Sequence, residues 1–339
     1  MANPVLVELT RGDLVESIHR GSVAIANAQG HIVFSLGDVD TPTYSRSSLK
    51  PIQALPLVES GAADAFDLSD EELALACASH SGEPMHTTRI AAWLKRIGCG
   101  ESDLACGVHP IRYEPVAEDM IRKGEHPTRI HNNCSGKHTG FLTVAKHWNV
   151  ATKGYERIDH PVQQAVGTAL AELSGEKDLP WGVDGCTAPN FAVPLSSFAR
   201  AMARYASPAM LGEVRGNAAR RLYAAMVAHP ELVSGTGRAC AALMRAGKGR
   251  VAVKTGAEGF FTAIIPEFGL GVALKIDDGA TRASECAMAT LLDRMDLLAA
   301  DDAVCALIRA PIANTRGESV GEKRPAPALL ENTLGDLTC

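Results

Sequence analysis

The sequence predicts an α+β protein in which one antiparallel sheet, built from both chain ends, packs against helices from the middle. Short β-prone segments cluster over residues 5–37 and again over 250–276. Between these clusters, apolar residues recur mostly with helical spacing. The expected organisation is one domain over 1–310, with sheet from 1–40 and 250–300 and a helical middle over 47–245, followed by an arm or loose tail over 311–339.

The N-terminal cluster consists of short β-prone runs separated by turn residues. The last two runs are joined by Asn27-Ala28-Gln29-Gly30, and a short turn with Asn and Gly is typical of a hairpin. The runs predicted as strands are Val5–Leu9, Leu14–Ile18, Ser22–Ala26 and His31–Leu36.

Helices are predicted where apolar residues keep a spacing of three to four. One helix opens at His160-Pro161, with Asp159 as the expected N-cap and the proline in the first turn. Further helices are predicted over Leu195–Tyr205, Met210–Val227 and Thr281–Ala299.

The C-terminal β-prone cluster predicts a three-strand antiparallel meander. Its runs are separated by the turn-rich segments 255–259 and 266–270, which are short enough to join neighbouring antiparallel strands. The predicted strands are Arg250–Lys254, Phe260–Ile265 and Gly271–Ile276.

Charge and composition exclude two classes of partner. The net charge is −6 without a basic run, which argues against nucleic-acid binding. No apolar run reaches the roughly 18 residues of a membrane span. The nine cysteines are scattered and no secretory signal is recognised, so we expect reduced thiols and a cytoplasmic location.

The segment Arg46-Ser47-Ser48-Leu49-Lys50-Pro51 is the first candidate for chemistry. In a helix, Ser47 and Lys50 share a face, so the lysine amine can act as base for the hydroxyl. Pro51 suits a first turn, which would leave Ser47 at a helix N-terminus with N–H groups available for an oxyanion. Ser48 is a competing hydroxyl. The alternative interpretation is a serine-capped helix with a solvated lysine.

A second motif, Lys254-Thr255-Gly256, follows far downstream at the end of an apolar strand. Ser-x-x-Lys followed by Lys-Thr-Gly is the signature of β-lactamases and penicillin-binding proteins. Two lysines near one site disfavour each other's charge, and a lysine that acts as base must be neutral. The alternative is an edge-strand lysine that prevents aggregation.

Two polar segments are weaker candidates. Ser79-His80-Ser81 follows a helical run where that enzyme group carries Ser-Asp-Asn, a difference that argues against β-lactam chemistry. His80 is either part of the site or an ordinary loop histidine. Arg238 ends the glycine-rich turn 234–238 and is a candidate to bind a substrate carboxylate, with a plain loop as the alternative.

Segments 131–140 and 184–190 are dense in reactive side chains. A soft metal can take Cys134 and Cys186, with either His138 or Lys137 as a third ligand. There is no Cys-x-x-Cys pair to support a metal, and two small buried thiols are the alternative.

Taken together, these segments resemble the rhizobial-type L-asparaginases, the thermolabile asparaginase II family, over about residues 5–321. The resemblance rests on several segments in the same order along the chain. They are Arg46–Pro51, Ser79–Glu83, Asn132–His138, Asp184–Cys186 with Pro189, and Lys254–Gly256.

The resemblance implies a homodimeric hydrolase of L-asparagine with a serine β-lactamase-like fold. It also implies two serine–lysine tandems and a zinc ion near the active site. The two tandems map to Ser47 with Lys50 and to Ser79 with Lys254. The zinc ligands map to Cys134, Lys137 and Cys186, with water as a further ligand. Contacts with the substrate are expected from Arg46, His80, His138, Asp184 and Arg238.

Two other functions stay open at this point. One is a related serine amidase or esterase, including a glutaminase or a β-lactam hydrolase. The other is a non-catalytic relative that binds an amino acid without releasing ammonia.

Overall fold

The computed structural model describes residues 2–331, which form two compact units. The sheet unit comprises residues 1–48, 193–207 and 242–339 within that range, and the helical unit comprises 49–192 and 208–241. The single domain predicted over 1–310 stays a prediction, and the part of the predicted tail beyond residue 331 lies outside the described residues.

The secondary structure alternates between strands at the chain ends and helices in the middle. The strands are β1 (Val5–Arg11), β2 (Leu14–Asn27), β3 (Ile32–Leu36), β4 (Pro42–Tyr44), β5 (Trp181–Val183), β6 (Pro189–Pro194), β7 (Ala252–Thr255), β8 (Phe260–Ile265), β9 (Leu270–Ile276), β10 (Ala310–Ala313) and β11 (Ser319–Pro325). The helices are α1 (Lys50–Gln53), α2 (Leu55–Glu59), α3 (Ala62–Ala65), α4 (Asp70–Ala76), α5 (Pro84–Arg96), α6 (Glu114–Lys123), α7 (Ser135–His147), α8 (Pro161–Ser174), α9 (Leu195–Tyr205), α10 (Glu213–Ala228), α11 (Pro230–Ser234), α12 (Ala239–Ala246), α13 (Thr281–Arg294), α14 (Asp302–Ile308) and α15 (Pro327–Leu330). Single 3-10 turns lie at Arg46–Leu49, Glu101–Asp103, Arg129–His131 and Pro208–Met210.

Both chain ends contribute to one antiparallel sheet, as predicted. Its strand order is β10-β11-β1-β2-β9-β8-β7, and β3 pairs with β2 beside this path. Val7 of β1 faces Pro325 of β11, and Val23 of β2 faces Leu274 of β9. The N-terminal hairpin and the three-strand meander are both confirmed.

Helices cover the sheet closely. Helix α9 packs on β2 and β9, and α13 packs on β1, β8 and β9. Every residue of β8 is buried, which indicates that both faces of this strand are covered. Gly271 of β9 lies so close to α9 that a Cβ atom there would be 2.1 Å from the Ala203 backbone nitrogen. Only glycine allows this approach.

Several predicted boundaries are wrong. The N-cap of α8 is His160, whose Nδ1 accepts the Val162 N–H at 3.2 Å, rather than Asp159. The predicted strands 14–18 and 22–26 are one continuous strand, because β2 extends between two partners, β1 and β9.

The end of the chain, expected as an arm or a loose tail, adds two strands to the sheet. Residues 310–313 and 319–325 are β10 and β11, because their backbone groups pair with each other and with β1. The helix predicted over 281–299 ends at Arg294, and the one predicted from Met210 begins at Glu213.

Helix α7 forms the centre of the helical unit. It contacts α2, α3, α4, α5 and α8. Every residue from Ser135 to Ala145 is buried, including Lys137 and His138. Buried polar side chains need partners, so this helix is where functional groups are expected.

Among residues 2–331, no helix is both long and apolar enough to cross a membrane. The cytoplasmic location stays a prediction.

Candidate active site

The Ser47 segment forms the 3-10 turn Arg46–Leu49, which runs directly into α1. The prediction of a regular helix with Ser47 at its N-terminus is therefore wrong in detail, although Pro51 does lie in the first turn of α1. Ser47 is half-buried, whereas Ser48 is fully buried. The Ser48 hydroxyl donates to the Lys254 carbonyl oxygen at 2.8 Å. Ser48 thus has a structural role, and Ser47 is the more accessible hydroxyl of the two.

Lys254 ends β7 with its side chain buried, only 1% exposed. Its Nζ atom donates to the Thr255 carbonyl oxygen at 2.7 Å. Gly256 follows, and a Cβ atom at this position would be 2.6 Å from the Ser45 carbonyl oxygen. The glycine of the Lys-Thr-Gly motif is therefore required by close packing against the Ser45–Ser48 turn.

Arg46 has an unusual backbone conformation beside the candidate nucleophile. Its φ angle is +50°, a left-handed value that non-glycine residues adopt uncommonly. Its guanidinium lies 3.8 Å from the Glu258 carboxylate. Such strain persists only where the surrounding structure enforces it, and it concentrates at functional sites.

In the helical unit, Lys50 and Ser79 form a direct serine–lysine couple. Lys50 Nζ lies 3.0 Å from Ser79 Oγ and 3.4 Å from the Asn133 carbonyl oxygen, and it also contacts the Ala78 carbonyl oxygen. The Lys50 side chain is 1% exposed. A solvated lysine, the alternative to a catalytic one, is thus excluded.

The partners of Lys50 suit a neutral amine as well as an ammonium group. The two carbonyl oxygens of Ala78 and Asn133 can only accept, whereas the Ser79 hydroxyl can donate or accept. A neutral amine has two N–H groups for the two carbonyls and one lone pair for the hydroxyl proton. Lys50 can therefore exchange a proton with Ser79 without losing its other hydrogen bonds.

The Ser79 loop is held in place by its neighbours. The Ser79 N–H donates to the Val233 carbonyl oxygen at 2.9 Å. His80 Nδ1 accepts the Gly82 N–H at 3.2 Å, and its Nε2 lies 3.0 Å from Ser135 Oγ. Burial, with His86 and Lys50 nearby, holds the pKa of His80 well below its ordinary value. Because both ring nitrogens are engaged, this geometry favours a loop-positioning role for His80 over substrate binding.

The glycine-rich turn before Arg238 is attached to the same loop. Glu83 accepts hydrogen bonds from the Thr236 N–H at 2.9 Å and the Thr236 hydroxyl at 2.7 Å. Gly235 has φ +114°, and a Cβ atom there would be 2.1 Å from Ser81 Oγ. The turn that carries Arg238 is thereby fixed relative to Ser79.

Cys134, Lys137 and Cys186 meet in the helical unit. Cys134 caps α7 and Lys137 lies in its first turn. Cys186 lies in the hairpin loop between β5 and β6, which the Asp184–Ala188 backbone hydrogen bond closes at 3.0 Å. Lys137 Nζ donates to Cys186 Sγ at 3.1 Å, and Cys134 Sγ, which lies 3.3 Å from Asn133 Oδ1, also interacts with Cys186.

The close packing of α7 against α4 positions this cluster. A Cβ atom at Gly136 would be 2.3 Å from the Leu75 carbonyl oxygen, so the residue between Ser135 and Lys137 must be glycine. Thr187, next to Cys186, has φ +76°, a strained value for a β-branched residue.

The pKa values of the two thiols in this cluster are shifted in opposite directions. The hydrogen bond from Cys134, with the charge of Lys137, lowers the pKa of Cys186 to about 5 against the effect of burial. The same hydrogen bond, with burial, raises the pKa of Cys134 to about 12. Burial alone would lower the pKa of Lys137, but the neighbouring Cys186, together with Cys134 and Asp184, outweighs burial and raises that pKa. The contact of Lys137 with Cys186 therefore favours the charged form of each group.

This donor set fits zinc chemically. Zinc favours thiolate and nitrogen ligands, and a site with three protein ligands retains a position for water or substrate. Within residues 2–331, no group of three or more His, Cys, Asp or Glu residues is arranged to hold a metal ion, so Lys137 would have to be the third ligand. Asp184 Oδ2 lies 3.5 Å from Cys186 Sγ.

Sequence reasoning missed two contributors to the site. One is the Asn133 carbonyl group, because a backbone acceptor leaves no side-chain signature. The other is Tyr155, whose hydroxyl lies 2.7 Å from Nδ1 of His138. Tyr155 belongs to no motif, and nothing in its sequence neighbourhood links it to residue 138.

Comparison with known proteins gives one family. The family model described as L-asparaginase II matches residues 7–325. No curated protein sequence matches the chain.

Solved structures with some likeness are distant. They include a candidate β-lactamase from Bacteroides dorei (12% identity, 76% of this chain and 84% of that chain, TM-score 0.43). A second is simvastatin synthase LovD from Aspergillus terreus, with 12% identity over 78% of this chain and 90% of that chain and a TM-score of 0.41. A third is Mglu in its native form, with 18% identity over 83% of this chain and 65% of that chain and a TM-score of 0.39. All three TM-scores are below 0.5, and the fold class is that of the sheet and helices described above.

The family match extends over nearly the whole chain, from β1 to the end of β11, and includes every candidate residue of the site. The chain therefore belongs to the L-asparaginase II family of amide hydrolases.

Proposed function

We propose that the protein hydrolyses L-asparagine to L-aspartate and ammonia through a serine acyl-enzyme. Membership of the L-asparaginase II family is the observation that carries this proposal. The buried Lys50–Ser79 couple supports it, because a serine hydroxyl needs an adjacent base and a proton path to act on an amide.

In the proposed first step, Ser47 Oγ attacks the carbon of the side-chain amide while Lys50 takes the hydroxyl proton. Backbone N–H groups hold the resulting oxyanion. When the tetrahedral intermediate collapses, the C–N bond breaks and the amide nitrogen takes a proton and leaves as ammonia. A β-aspartyl ester remains on Ser47. Water then hydrolyses this ester. Ser79 and Lys254 relay protons in both steps, and Ser79 receives its proton from Lys50.

The substrate's α-amino and α-carboxyl groups need charged partners. Asp184 is a candidate for the amino group, and Arg46, His138 and Arg238 are candidates for the carboxylate. Zinc, held by Cys134, Lys137 and Cys186, would supply a cation that orients the substrate.

An ammonia-release assay with several substrates tests the proposed function. We expect turnover of L-asparagine to exceed that of L-glutamine and of the β-lactam nitrocefin, each measured at the same enzyme concentration. Nitrocefin turnover above asparagine turnover would favour a β-lactam hydrolase, and asparagine binding without ammonia release would favour a non-catalytic relative.

Zinc binding is expected to release protons. The pKa of Cys186 is lowered to about 5, whereas the pKa values of Lys137 and Cys134 are raised, so we expect these two groups to lose protons when they ligate a metal. Apparent zinc affinity should therefore rise with pH, by about 100-fold per pH unit near neutrality, with about two protons released per zinc. Calorimetry in buffers of different ionisation enthalpy measures this number.

A Lys137→Met variant is the matched control for that titration, and we expect it to release about one proton per zinc. Unchanged proton release in this variant would contradict ligation by Lys137. Removal of zinc from the wild-type enzyme should raise KM more than it lowers kcat, and an unchanged KM would contradict the orienting role.

We also propose that the active enzyme is a homodimer. Light scattering at the concentration used for the assay tests this, and an active monomer would contradict it.

A further inference from the structure

The carbonyl group of Asn133 joins the candidate base to the loop that carries Ser79. Its oxygen lies 3.4 Å from Lys50 Nζ, and it also accepts the His80 N–H at 3.2 Å. Lys50 Nζ in turn lies 3.0 Å from Ser79 Oγ. One backbone oxygen therefore contacts both the amine and the segment of the hydroxyl, so its position affects the geometry of the Lys50–Ser79 couple.

The turn that presents this carbonyl group is held by two residues from another part of the chain. The Asn133 N–H donates to Nε2 of His109 at 2.8 Å. The side chain of Asn132 donates through Nδ2 to the Gly107 carbonyl oxygen at 2.6 Å. These two contacts attach the segment that begins at Gly107 to the turn just before α7.

The partners of His109 determine which of its ring nitrogens accepts. Nδ1 lies 2.7 Å from the Pro110 carbonyl oxygen, which can only accept, so Nδ1 carries the ring hydrogen. Nε2 is then the acceptor that the Asn133 N–H requires. The ring is half-buried, and both of its nitrogens are engaged by backbone groups. The ring of His109 is thus held in one orientation towards Asn133.

The segment that follows His109 buries little apolar surface. Within residues 107–128, only Ile111 and Met120 are buried, and Met120 is the one buried residue of α6. Ile121 of the same helix is 76% exposed. A segment with few buried apolar contacts opens at low cost in free energy, so the hydrogen bond at His109 is a large part of what attaches it.

We infer that His109 is a positioning residue for the candidate base. By accepting the Asn133 N–H, it attaches segment 107–128 to the turn and keeps the Asn133 carbonyl oxygen in contact with Lys50 and the Ser79 loop. The inference rests on the proposed function for the role of Lys50 as a base. Loss of the acceptor leaves the Asn133 N–H without this partner and lets the turn move, which displaces an oxygen that Lys50 contacts.

Two substitutions of His109 separate the hydrogen bond from the ring. His109→Phe keeps the ring and removes the acceptor. We expect kcat for L-asparagine to fall about 10-fold while KM stays within about twofold, because Lys50 acts in the chemical step and not in binding. His109→Gln supplies an amide oxygen as acceptor and should keep kcat within about threefold of wild type. Equal losses of kcat in both variants, or an unchanged kcat in His109→Phe, would overturn the inference.

Tryptic cleavage of the folded protein measures the attachment of the segment. Arg112 is exposed and lies shortly after His109. We expect cleavage after Arg112 to be about 10-fold faster in His109→Phe than in the wild type, and close to the wild-type rate in His109→Gln. Cleavage after the exposed Lys248 of the sheet unit is the internal reference. Equal cleavage after Arg112 in all three proteins would contradict the attachment and with it the inference.

His126→Phe is the matched control for the loss of a histidine. His126 is an exposed residue of the same segment. This variant should leave kcat, KM and the rate of cleavage after Arg112 unchanged. A fall in kcat equal to that of His109→Phe would show that the effect is not specific to residue 109, and it would overturn the inference.

Amide hydrogen exchange of the wild-type protein decides the matter if His109→Phe does not fold. We expect NMR to show that the Asn133 N–H exchanges at least about 100-fold more slowly than an open amide. Exchange at the rate of an open amide would overturn the inference. Wild-type enzyme that releases no ammonia from asparagine would refute the proposed function, whereas exchange and cleavage would still report whether His109 holds Asn133.

Discussion

Replacement of Ser47 by alanine is expected to lower kcat for asparagine by about 10⁴-fold or more, with the fold intact. Ser47 is half-buried in a 3-10 turn, so its hydroxyl is available and its loss should cost little stability. The wild-type enzyme, quenched in acid during turnover, should carry one aspartyl group on the peptide that contains Ser47. Mass spectrometry of the digested protein measures this.

Ser48→Ala is the matched control, because it removes the neighbouring hydroxyl. Ser48 donates to the Lys254 carbonyl oxygen, which also accepts from the Thr262 hydroxyl at 3.3 Å. We therefore expect a loss of about 1 kcal/mol of stability and retention of most of the activity. If Ser48→Ala were inactive while Ser47→Ala stayed active, or if the ester mapped to Ser79, the assignment of the nucleophile would be wrong.

Replacement of Lys50 by methionine is expected to lower kcat by about 10³-fold. The side chains are similar in length, but methionine cannot take a proton from a serine or donate to the Ala78 and Asn133 carbonyl oxygens. The Ala78 carbonyl oxygen loses this donor, whereas the Asn133 carbonyl oxygen still accepts the His80 N–H at 3.2 Å, so thermal unfolding should also shift downwards. The measurement is kcat by ammonia release, at a temperature where the variant is fully folded by circular dichroism.

Lys248→Met, a lysine in the turn after α12, is the control for removal of a lysine charge. It should leave kcat unchanged. A folded Lys50→Met enzyme with a near-normal kcat would show that Lys50 is only a structural donor, and it would remove the base from the proposed mechanism.

Local patterns predicted the meander and four of the helices, because each of these depends on residues close in sequence. Helix α9 has its predicted bounds, and the turn at residues 27–30 does join two antiparallel strands. The single strand β2 was not predicted in this form, because its length is set by two partner strands and not by its own composition. The same reason explains why β11 was predicted only as part of an arm or tail and not as a strand.

The candidate site, like the fold, was predicted only in part from the sequence. The Ser-x-x-Lys and Lys-Thr-Gly motifs identified Ser47, Lys50 and Lys254 from the chain alone, because their spacing and residue types carry the chemistry. The contact of Lys50 with Ser79, by contrast, joins residues that are 29 apart in sequence. No local pattern encodes that distance.

The amino-acid sequence by itself determined the fold class, the family resemblance and the set of reactive side chains, because these depend on residue type and order. Only the tertiary structure decided how those side chains are paired and charged. In the folded chain, Cys186 contacts Lys137, the Ser48 hydroxyl donates to the Lys254 carbonyl oxygen, and Tyr155 lies beside His138. Hydrogen bonds and charge interactions act over a few ångströms, so the protonation of each group depends on neighbours that folding brings together from distant parts of the chain.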